Sequence, residues 1–418
     1  MSRTLTVWWD NQVVGFLTQN QHGELGFAYG VDWLADKNAP ALSVSLPKRD
    51  DAFSQRECRP FFGGFLPEEG QRNAVAKALG VSPRNDFALL DRLGGDVAGA
   101  FQLLQIGEVP ATQTRSDNPT PLTDDELVNL LNALPLRPML AGENGLRLSL
   151  AGAQSKLPVV LVNGKIALPL LGQPTTHILK PPISRFVATT ENEAFTMNLA
   201  SAIGLDVAPA QAHIVQGRSF LLVDRYDRTL FADGLVTRVH QEDFCQALGI
   251  SSELKYASEG GPNLKNCFEL LRRVSARPAQ DVLKLLDAVI FNLIVGNADA
   301  HGKNFSILYS KNGARLAPLY DLLSTVAYPE LSQKFAMKIG KRETLADMNQ
   351  RTWIAFATDS GLGAPIIRRR VTEICDQIIE TTSRVAEKIA KQGLNQTEIL
   401  KLSAVICERS ELCAKTIL

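Results

Sequence analysis

Short apolar runs open the chain. Leu5–Trp9, Val13–Thr18, Leu25–Tyr29 and Leu42–Leu46 are rich in Leu, Val and aromatic residues and are separated by Asn11, Gly23 and Pro40, so each is predicted as a strand. Gln71–Leu79, stopped by Gly80, and Phe87–Leu93, stopped by Gly94-Gly95, read as helices. Residues 1–106 thus form a small α/β module. The segment 107–123 is polar and carries three prolines, a linker pattern, and Asp124–Ala133 is predicted as a short helix within the connecting region 107–145.

From residue 146 the pattern acquires a definite order. Leu146–Leu148 is predicted as a strand, followed by the small-residue loop Ala151–Lys156 and the strand Leu157–Val162. The turn dipeptide Asn163-Gly164 leads into the strand Ile166–Leu170, and His177–Lys180 is a short strand ending in lysine. Glu191–Ile203 reads as a helix capped by Gly204, and Ala212–Val215 pairs with Phe220–Asp224 across Gln216-Gly217-Arg218. Strands, loop, lysine strand, helix and two further strands over 146–228 are the order of a kinase amino-terminal lobe. The remainder, 229–418, is predicted to be mostly helical, with one island. Leu283–Val295 has apolar residues at 283, 286, 290, 293 and 294, a helical spacing, and ends at Gly296. The polar run Asn297–Asn304 follows, then a strand Phe305–Tyr309, a turn at Asn312-Gly313 and a strand Leu316–Tyr320 that delivers Asp321.

Composition narrows the partners. Lys plus Arg is 44 and Asp plus Glu is 44 in 418 residues, so bulk charge gives no argument for nucleic-acid binding. The six cysteines form no CxxC and no zinc spacing, which fits a reducing cytoplasm. The amino terminus has no apolar signal core. The most apolar stretch, Leu283–Val295, is interrupted by Lys284, Asp287 and Asn292, so no membrane span is expected.

The candidate chemistry lies in the ordered region. Asp299 and Asn304 are five apart in a loop, and the following hairpin folds Asp321 back towards them. One carboxylate that orients a hydroxyl, with an amide and a second carboxylate holding Mg²⁺, is what phosphoryl transfer requires. Taken singly, each of the three is also an ordinary turn residue. The loop Ala151, Gly152, Ala153, Gln154, Ser155 and Lys156 offers unobstructed backbone N–H groups to phosphate oxygens, although a plain turn has the same composition. Lys180 could reach the α- and β-phosphates or stand solvated at a strand end. Thr190 and Glu193 have capping-box spacing, with an ion pair between Glu193 and Lys180 as the alternative. His301 could touch phosphate or hold the loop backbone.

These residues sit in stretches that resemble the HipA family of bacterial serine/threonine-kinase toxins: RLSLAGAQSK (147–156), THILKPP (176–182), NEAF (192–195), LLVDRYDR (221–228), QEDFCQALG (241–249), KYASEGGP (255–262), NADAHGKNFS (297–306) and LAPLYDLLS (316–324). FFGGFLPEEGQR (61–72) and LGGDVAGAF (93–101) extend the likeness into the amino-terminal module. The resemblance implies an α+β, protein-kinase-like two-lobe fold, with an antiparallel-sheet N-lobe (146–228), a mostly helical C-lobe (229–418) and the extra module at 1–106. It implies Asp299 as catalytic aspartate, Asn304 and Asp321 as Mg²⁺ ligands, Lys180 as the ATP-phosphate lysine and 151–156 as the phosphate loop. Asp224, Arg225 and Tyr226 match the adenine-contacting hinge; His301, Gly302, Lys303, Asn304, Tyr320 and Asp321 complete the nucleotide site. Ser149 matches a serine that family members autophosphorylate, which ejects the loop.

The resemblance also implies partners: a helix-turn-helix, HipB-like antitoxin, operator DNA bound through that complex, and an aminoacyl-tRNA synthetase substrate of the glutamyl-tRNA synthetase kind. Ser155 stands where the family often has Glu, Asp224 also replaces a usual Glu, and no HRD or DFG is present. Arg368, Arg369 and Arg370 could meet a DNA backbone or form a solvated face. Two other readings share some of these residues: a small-molecule kinase of the aminoglycoside or choline type, and a nucleotide-binding corepressor without turnover.

Overall fold

Strand pairing sets the first sheet. In Arg3–Trp9, Leu5, Thr6 and Val7 are all buried, as befits a strand with a neighbour on each side. This strand pairs antiparallel with Gln12–Gln19 on one side and Phe101–Gln105 on the other, and Leu25–Tyr29 adds to the outer edge of Gln12–Gln19. Gly15 is obligatory in this ladder, because a Cβ there would lie 2.2 Å from the carbonyl oxygen of Ala28. Helices Gln55–Gly63, Glu69–Leu79 and Asp86–Leu93 supply Phe61, Phe62, Val75 and Phe87 to the same buried cluster as Phe27 and Phe101.

This computed structural model describes residues 2–111, 119–143, 146–232 and 234–417. The middle of the expected linker, 112–118, lies outside the described residues; its far end pairs through Pro121 with Ala167. The chain divides into two compact units. One comprises Met1–Pro181, Asp224–Glu253 and Leu308–Ser310; the other comprises Pro182–Val223, Leu254–Ile307 and Lys311–Leu418.

In the first unit, Leu157–Val162 and Lys165–Ala167 make a hairpin across Asn163 and Gly164, whose φ values of 52° and 78° belong to a type I′ turn. His177–Lys180 pairs antiparallel with Leu157–Val162. A group of charges is buried in this unit. The carboxylate of Asp96 meets Arg225 at 3.2 Å, Arg228 at 2.9 Å and Arg238 at 2.9 Å, and Asp227 meets Arg225 at 2.7 Å and Arg228 at 3.0 Å. Thr175 Oγ1 and the Gly99 N–H donate to the same two carboxylates, each at 2.7 Å. Burial alone would raise the Asp96 pKa, but Arg228, Arg238 and Arg225 outweigh it and hold the carboxyl well below its usual range; Asp227 is lowered by Arg225 and Arg228 against the same penalty.

Glu242 behaves oppositely. Burial pushes its pKa up to about 7, although the Ser43 and Tyr309 hydroxyls and the Val44 N–H all donate to it.

In the second unit, helices Thr189–Ala202, Pro278–Val295, Ala364–Ala390 and Gln396–Thr416 pack together, with Leu264–Val274 and Gln350–Ser360 beside them. Ala210–Val215 and Arg218–Asp224 pair around Gln216 and Gly217, with φ values of 47° and 77°.

Several expected elements are shorter or absent. Leu42–Leu46 is a turn closed by a single Ser43–Leu46 bridge, because its polar groups bond to Glu242 and Tyr29 rather than to a strand. Leu146–Leu148 forms only one bridge, from Leu148 to Asp96. Strand 166–170 stops at Ala167, ahead of Pro169, and strand 316–320 stops at Leu316, ahead of Pro318, since proline lacks the donor a ladder needs. The capping box is not formed. The helix begins at Thr189 after Ala188, which adopts φ 54°, and Thr189 Oγ1 accepts from the Ile183 N–H at 2.9 Å. Thr190 Oγ1 is buried with no hydrogen-bond partner. Among the described residues, no helix is long and apolar enough to cross a membrane, and all six cysteines are free thiols.

Two predictions follow from the buried charges. Asp96→Ala leaves three guanidinium groups short of a counter-charge and is expected to destabilise the chain by about 3–5 kcal/mol, read as a fall in the urea midpoint. The folded-state pKa of Asp96 lies below the unfolded value, so its contribution is present above about pH 4 and is lost as pH falls further. Glu242 has the opposite sign: its folded pKa of about 7 exceeds the unfolded value, so stability is lost as pH rises towards and through 7. Glu242→Gln is expected to flatten the urea midpoint between about pH 5 and 8.

Candidate active site

The loop Ala151–Lys156 is shaped by one glycine and one lysine. Gly152 adopts φ 114°, a conformation that side chains rarely take, and a Cβ there would lie 2.6 Å from Lys156 Nζ. The buried Lys156 ammonium donates to the Ala151 carbonyl at 2.8 Å and closes the loop on itself. Outside contacts fix its position: the Glu68 N–H donates to the Gly152 carbonyl at 3.1 Å, and Ser155 Oγ donates to Gln71 Oε1 at 3.2 Å. The loop is thus docked on the 67–71 segment of the amino-terminal module.

Ser149, just ahead of the loop, is wholly buried. Its Oγ donates to the Phe65 carbonyl at 2.7 Å and its N–H to the Asp96 carbonyl at 3.0 Å. Lys180 ends its strand in a buried position. In the 224–226 segment, Asp224 is exposed and lies 3.2 Å from His177 Nε2. The Arg225 guanidinium is committed to the ion cluster, and the Tyr226 hydroxyl donates to Gln241.

The second unit holds Asp299, Asn304 and Asp321. The Pro278–Val295 helix ends at Gly296, at φ 73°. Its last carbonyls, which would lack partners in the helix itself, are met by Arg409: the guanidinium donates to Leu293 and Ile294, each at 2.8 Å. Asn297 then bridges the loop. Its Oδ1 accepts from the Asp299 N–H at 3.3 Å, and its Nδ2 donates to Asn292 Oδ1 at 2.9 Å and to the Asp321 carbonyl at 3.4 Å. Thr325 Oγ1 accepts from the Ala298 N–H at 2.8 Å and donates to the Gly296 carbonyl at 2.9 Å. Asn192, in the NEAF stretch, exchanges two hydrogen bonds with the backbone of Ser324, at 2.8 and 2.9 Å.

Asp299 itself is exposed, and its Oδ1 accepts a hydrogen bond from the Tyr256 hydroxyl at 2.7 Å. The Asp299 carbonyl accepts from the His301 N–H at 2.8 Å, and that residue's N–H also lies 3.2 Å from Asn304 Oδ1, orienting the amide. Gly302–Asn304 forms one 3₁₀ turn in which Lys303 is buried, and Tyr320 Oη donates to the Lys303 carbonyl at 2.6 Å. Asp321 is held at φ 52°, an uncommon conformation for a residue other than glycine and one that concentrates at functional sites.

Asn304 Oδ1, which retains acceptor capacity beyond its contact with His301, and the carboxylate of Asp321 are hard oxygen donors of the kind that Mg²⁺ takes alongside substrate phosphates and water. Among the described residues, no group of three or more His, Cys, Asp or Glu is placed to hold a metal. Of the three arginines at 368–370, Arg370 is engaged by Asp287 at 2.7 Å and by Glu373, and Arg369 lies 3.7 Å from Glu373.

A buried-helix, polar-loop and hairpin arrangement that delivers Asp, Asn and Asp, together with a glycine-hinged loop and a lysine strand, defines a protein-kinase-like α+β fold. The comparisons agree. The family model described as the HipA-like C-terminal domain matches residues 148–386, and that of the HipA N-terminal domain matches 5–104. The chain is 62% identical over 412 residues to Y4mE of Sinorhizobium fredii, covering 98% of each chain. It is 30% identical over 369 residues to the serine/threonine-protein kinase toxin HipA of Shewanella oneidensis, covering 85% of this chain and 83% of that one. The solved complex of Shewanella oneidensis HipA, HipB and operator DNA superposes with a TM-score of 0.83 at 26% identity, over 97% of this chain and 96% of that one. The chain belongs to the HipA family and is a protein kinase.

Asn297, Asn192, Thr325, Arg409 and Tyr256 were not singled out from the sequence as site residues. The first stands at the head of the NADAHGKN run, and its place there was the available signal; Arg409 lies in an unremarkable helical stretch with none.

Asn297→Ala removes three hydrogen bonds from the loop. It is expected to cost about 1–3 kcal/mol in urea unfolding and to slow phosphate transfer about 100-fold through misplacement of Asp299.

Proposed function

We propose that this kinase transfers the γ-phosphoryl group of ATP to serine or threonine hydroxyls of a protein, with Mg²⁺, as the toxin of a toxin–antitoxin pair. The observation that carries the proposal is the Asn297 bridge, which ties the backbones of Asp299 and Asp321 to one side chain. In this reading Asp299 orients the substrate hydroxyl and takes its proton. The hydroxyl oxygen bonds to the γ-phosphorus, and the β,γ-bridging oxygen leaves with ADP. Asn304 and Asp321 would hold the cation, which when bound neutralises phosphate charge. Lys180 and the backbone N–H groups of 151–156 would bind phosphates, and the 224–226 segment and Tyr320 would serve the nucleotide. Little covalent work falls to the protein; positioning and charge stabilisation carry the reaction.

The toxin assignment is supported by the 30% identity to a kinase toxin and by likeness to a protein solved with HipB and operator DNA. The partner in this reading is a HipB-like helix-turn-helix antitoxin, through which the pair meets operator DNA. The substrate is an aminoacyl-tRNA synthetase of the glutamyl-tRNA synthetase kind. Ser149 is the site of self-modification. A phosphate dianion cannot occupy the dry pocket where Ser149 Oγ now meets the Phe65 carbonyl, so modification would drive the loop out.

Incubation of the chain with Mg-ATP, read by intact mass, tests the assignment. Wild type is expected to gain one phosphoryl group at Ser149, and Asp299→Asn to lose at least about 1,000-fold in rate while still binding nucleotide. Transfer to a metabolite and never to protein, or full activity in Asp299→Asn, overturns it.

A further inference from the structure

The KYASEGGP stretch is built to present one hydroxyl. Its turn folds so that the Tyr256 carbonyl accepts from the Glu259 N–H at 3.0 Å and from the Gly261 N–H at 2.9 Å. Gly260 takes φ 98°, and a Cβ on Gly261 would lie 2.1 Å from the Leu254 carbonyl oxygen, so no other residue fits there. The neighbouring backbone is tied to the Asp299 loop through one shared residue: the Ala336 N–H donates to the Ala298 carbonyl at 2.9 Å, and its carbonyl accepts from the Ala257 N–H at 3.4 Å. The Tyr256 ring packs edge-on against His301, with centroids 5.2 Å apart, and Lys255 Nζ lies 5.3 Å from its centroid. What this frame delivers is the 2.7 Å hydrogen bond from Tyr256 Oη to Asp299 Oδ1.

We infer that Tyr256 is a positioning residue for phosphoryl transfer: its hydroxyl engages Oδ1 and fixes the rotation of the Asp299 carboxylate, so that the other oxygen receives the substrate's proton. The inference rests on the reading of Asp299 as the proton acceptor. The Tyr256 hydrogen bond narrows the χ2 orientations open to the Asp299 carboxylate, of which few place an oxygen on the incoming hydroxyl. This tether acts before substrate arrives, which is where orientation contributes to rate. The rotation of Asp299 does not bear on the phosphates of ATP, so the tether acts on turnover and leaves nucleotide affinity alone.

The test uses the full chain and phosphate incorporation from Mg-ATP, followed by intact mass over a range of ATP concentrations. Tyr256→Phe keeps the ring contact with His301 and removes the donor. Its maximal rate is expected to fall about 10- to 30-fold, with half-saturating ATP within twofold of wild type and an unchanged melting temperature. Placing 4-aminophenylalanine at position 256 restores an N–H donor at the same ring position and is expected to recover most of the lost rate. A purely structural tyrosine would show no difference between the two replacements. Asp299→Asn is run alongside. If it is inactive while Tyr256→Phe matches wild type, or if the amino analogue rescues nothing, the tether is overturned and the proton-acceptor reading stands. If Asp299→Asn keeps its rate, both fall.

Discussion

Two carboxylates, Asp96 and Asp227, hold three guanidinium groups out of water, and the first compact unit depends on that arrangement. The participants come from distant parts of the chain. Asp96 follows the last helix of the amino-terminal module, Thr175 precedes the lysine strand, and Arg225, Asp227 and Arg228 lie in the LLVDRYDR stretch. The region matched by the HipA N-terminal model and the start of the C-terminal one are therefore joined by charges whose separation would leave ions stranded in a dry interior. Asp96 adds a second link, because its backbone carbonyl accepts from Ser149. Ser149 and the 224–226 segment are both held from this one cluster, whereas the 151–156 loop that follows is docked on the 67–71 segment.

The 296–325 region is held by a different kind of contact. There, single neutral side chains each serve two backbones: Asn297 between Asp299 and Asp321, Thr325 between Gly296 and Ala298, Asn192 across Ser324. Short amide and hydroxyl bridges fix a loop with little side-chain entropy to lose and no desolvated charge to balance. The positive φ of Asp321 is held within this network.

Local signals in the sequence were legible and long-range ones were not. Asp124–Ala133, Leu157–Val162 and His177–Lys180 have the predicted bounds, and Gly80, Gly204 and Gly296 take the positive φ that ends their helices. Each of these depends on a few adjacent residues. The Thr190–Glu193 spacing misled because Ala188 enters a left-handed conformation and moves the helix start, an event decided by Ile183 and Thr189 rather than by the box itself. The Phe101–Gln105 strand was overlooked because its ladder partner is about a hundred residues away, at Arg3–Trp9. Asp299, Asn304 and Asp321 stood out because spacing and turn residues bracket them. Arg225 had a clear motif match, yet its side chain serves burial, since a motif says which residues recur and not which atom of each is used.

Arg409 carries a consequence for synthesis. It lies more than a hundred residues after the carbonyls of Leu293 and Ile294 that it serves, in the helix Gln396–Thr416. A chain still emerging from the ribosome can thread every loop residue through Asp321 and yet leave the end of the preceding helix unsupported. That helix end is therefore anchored only once the Gln396–Thr416 helix has been made, so as the chain is synthesised its support arrives about a hundred residues after the segment it holds.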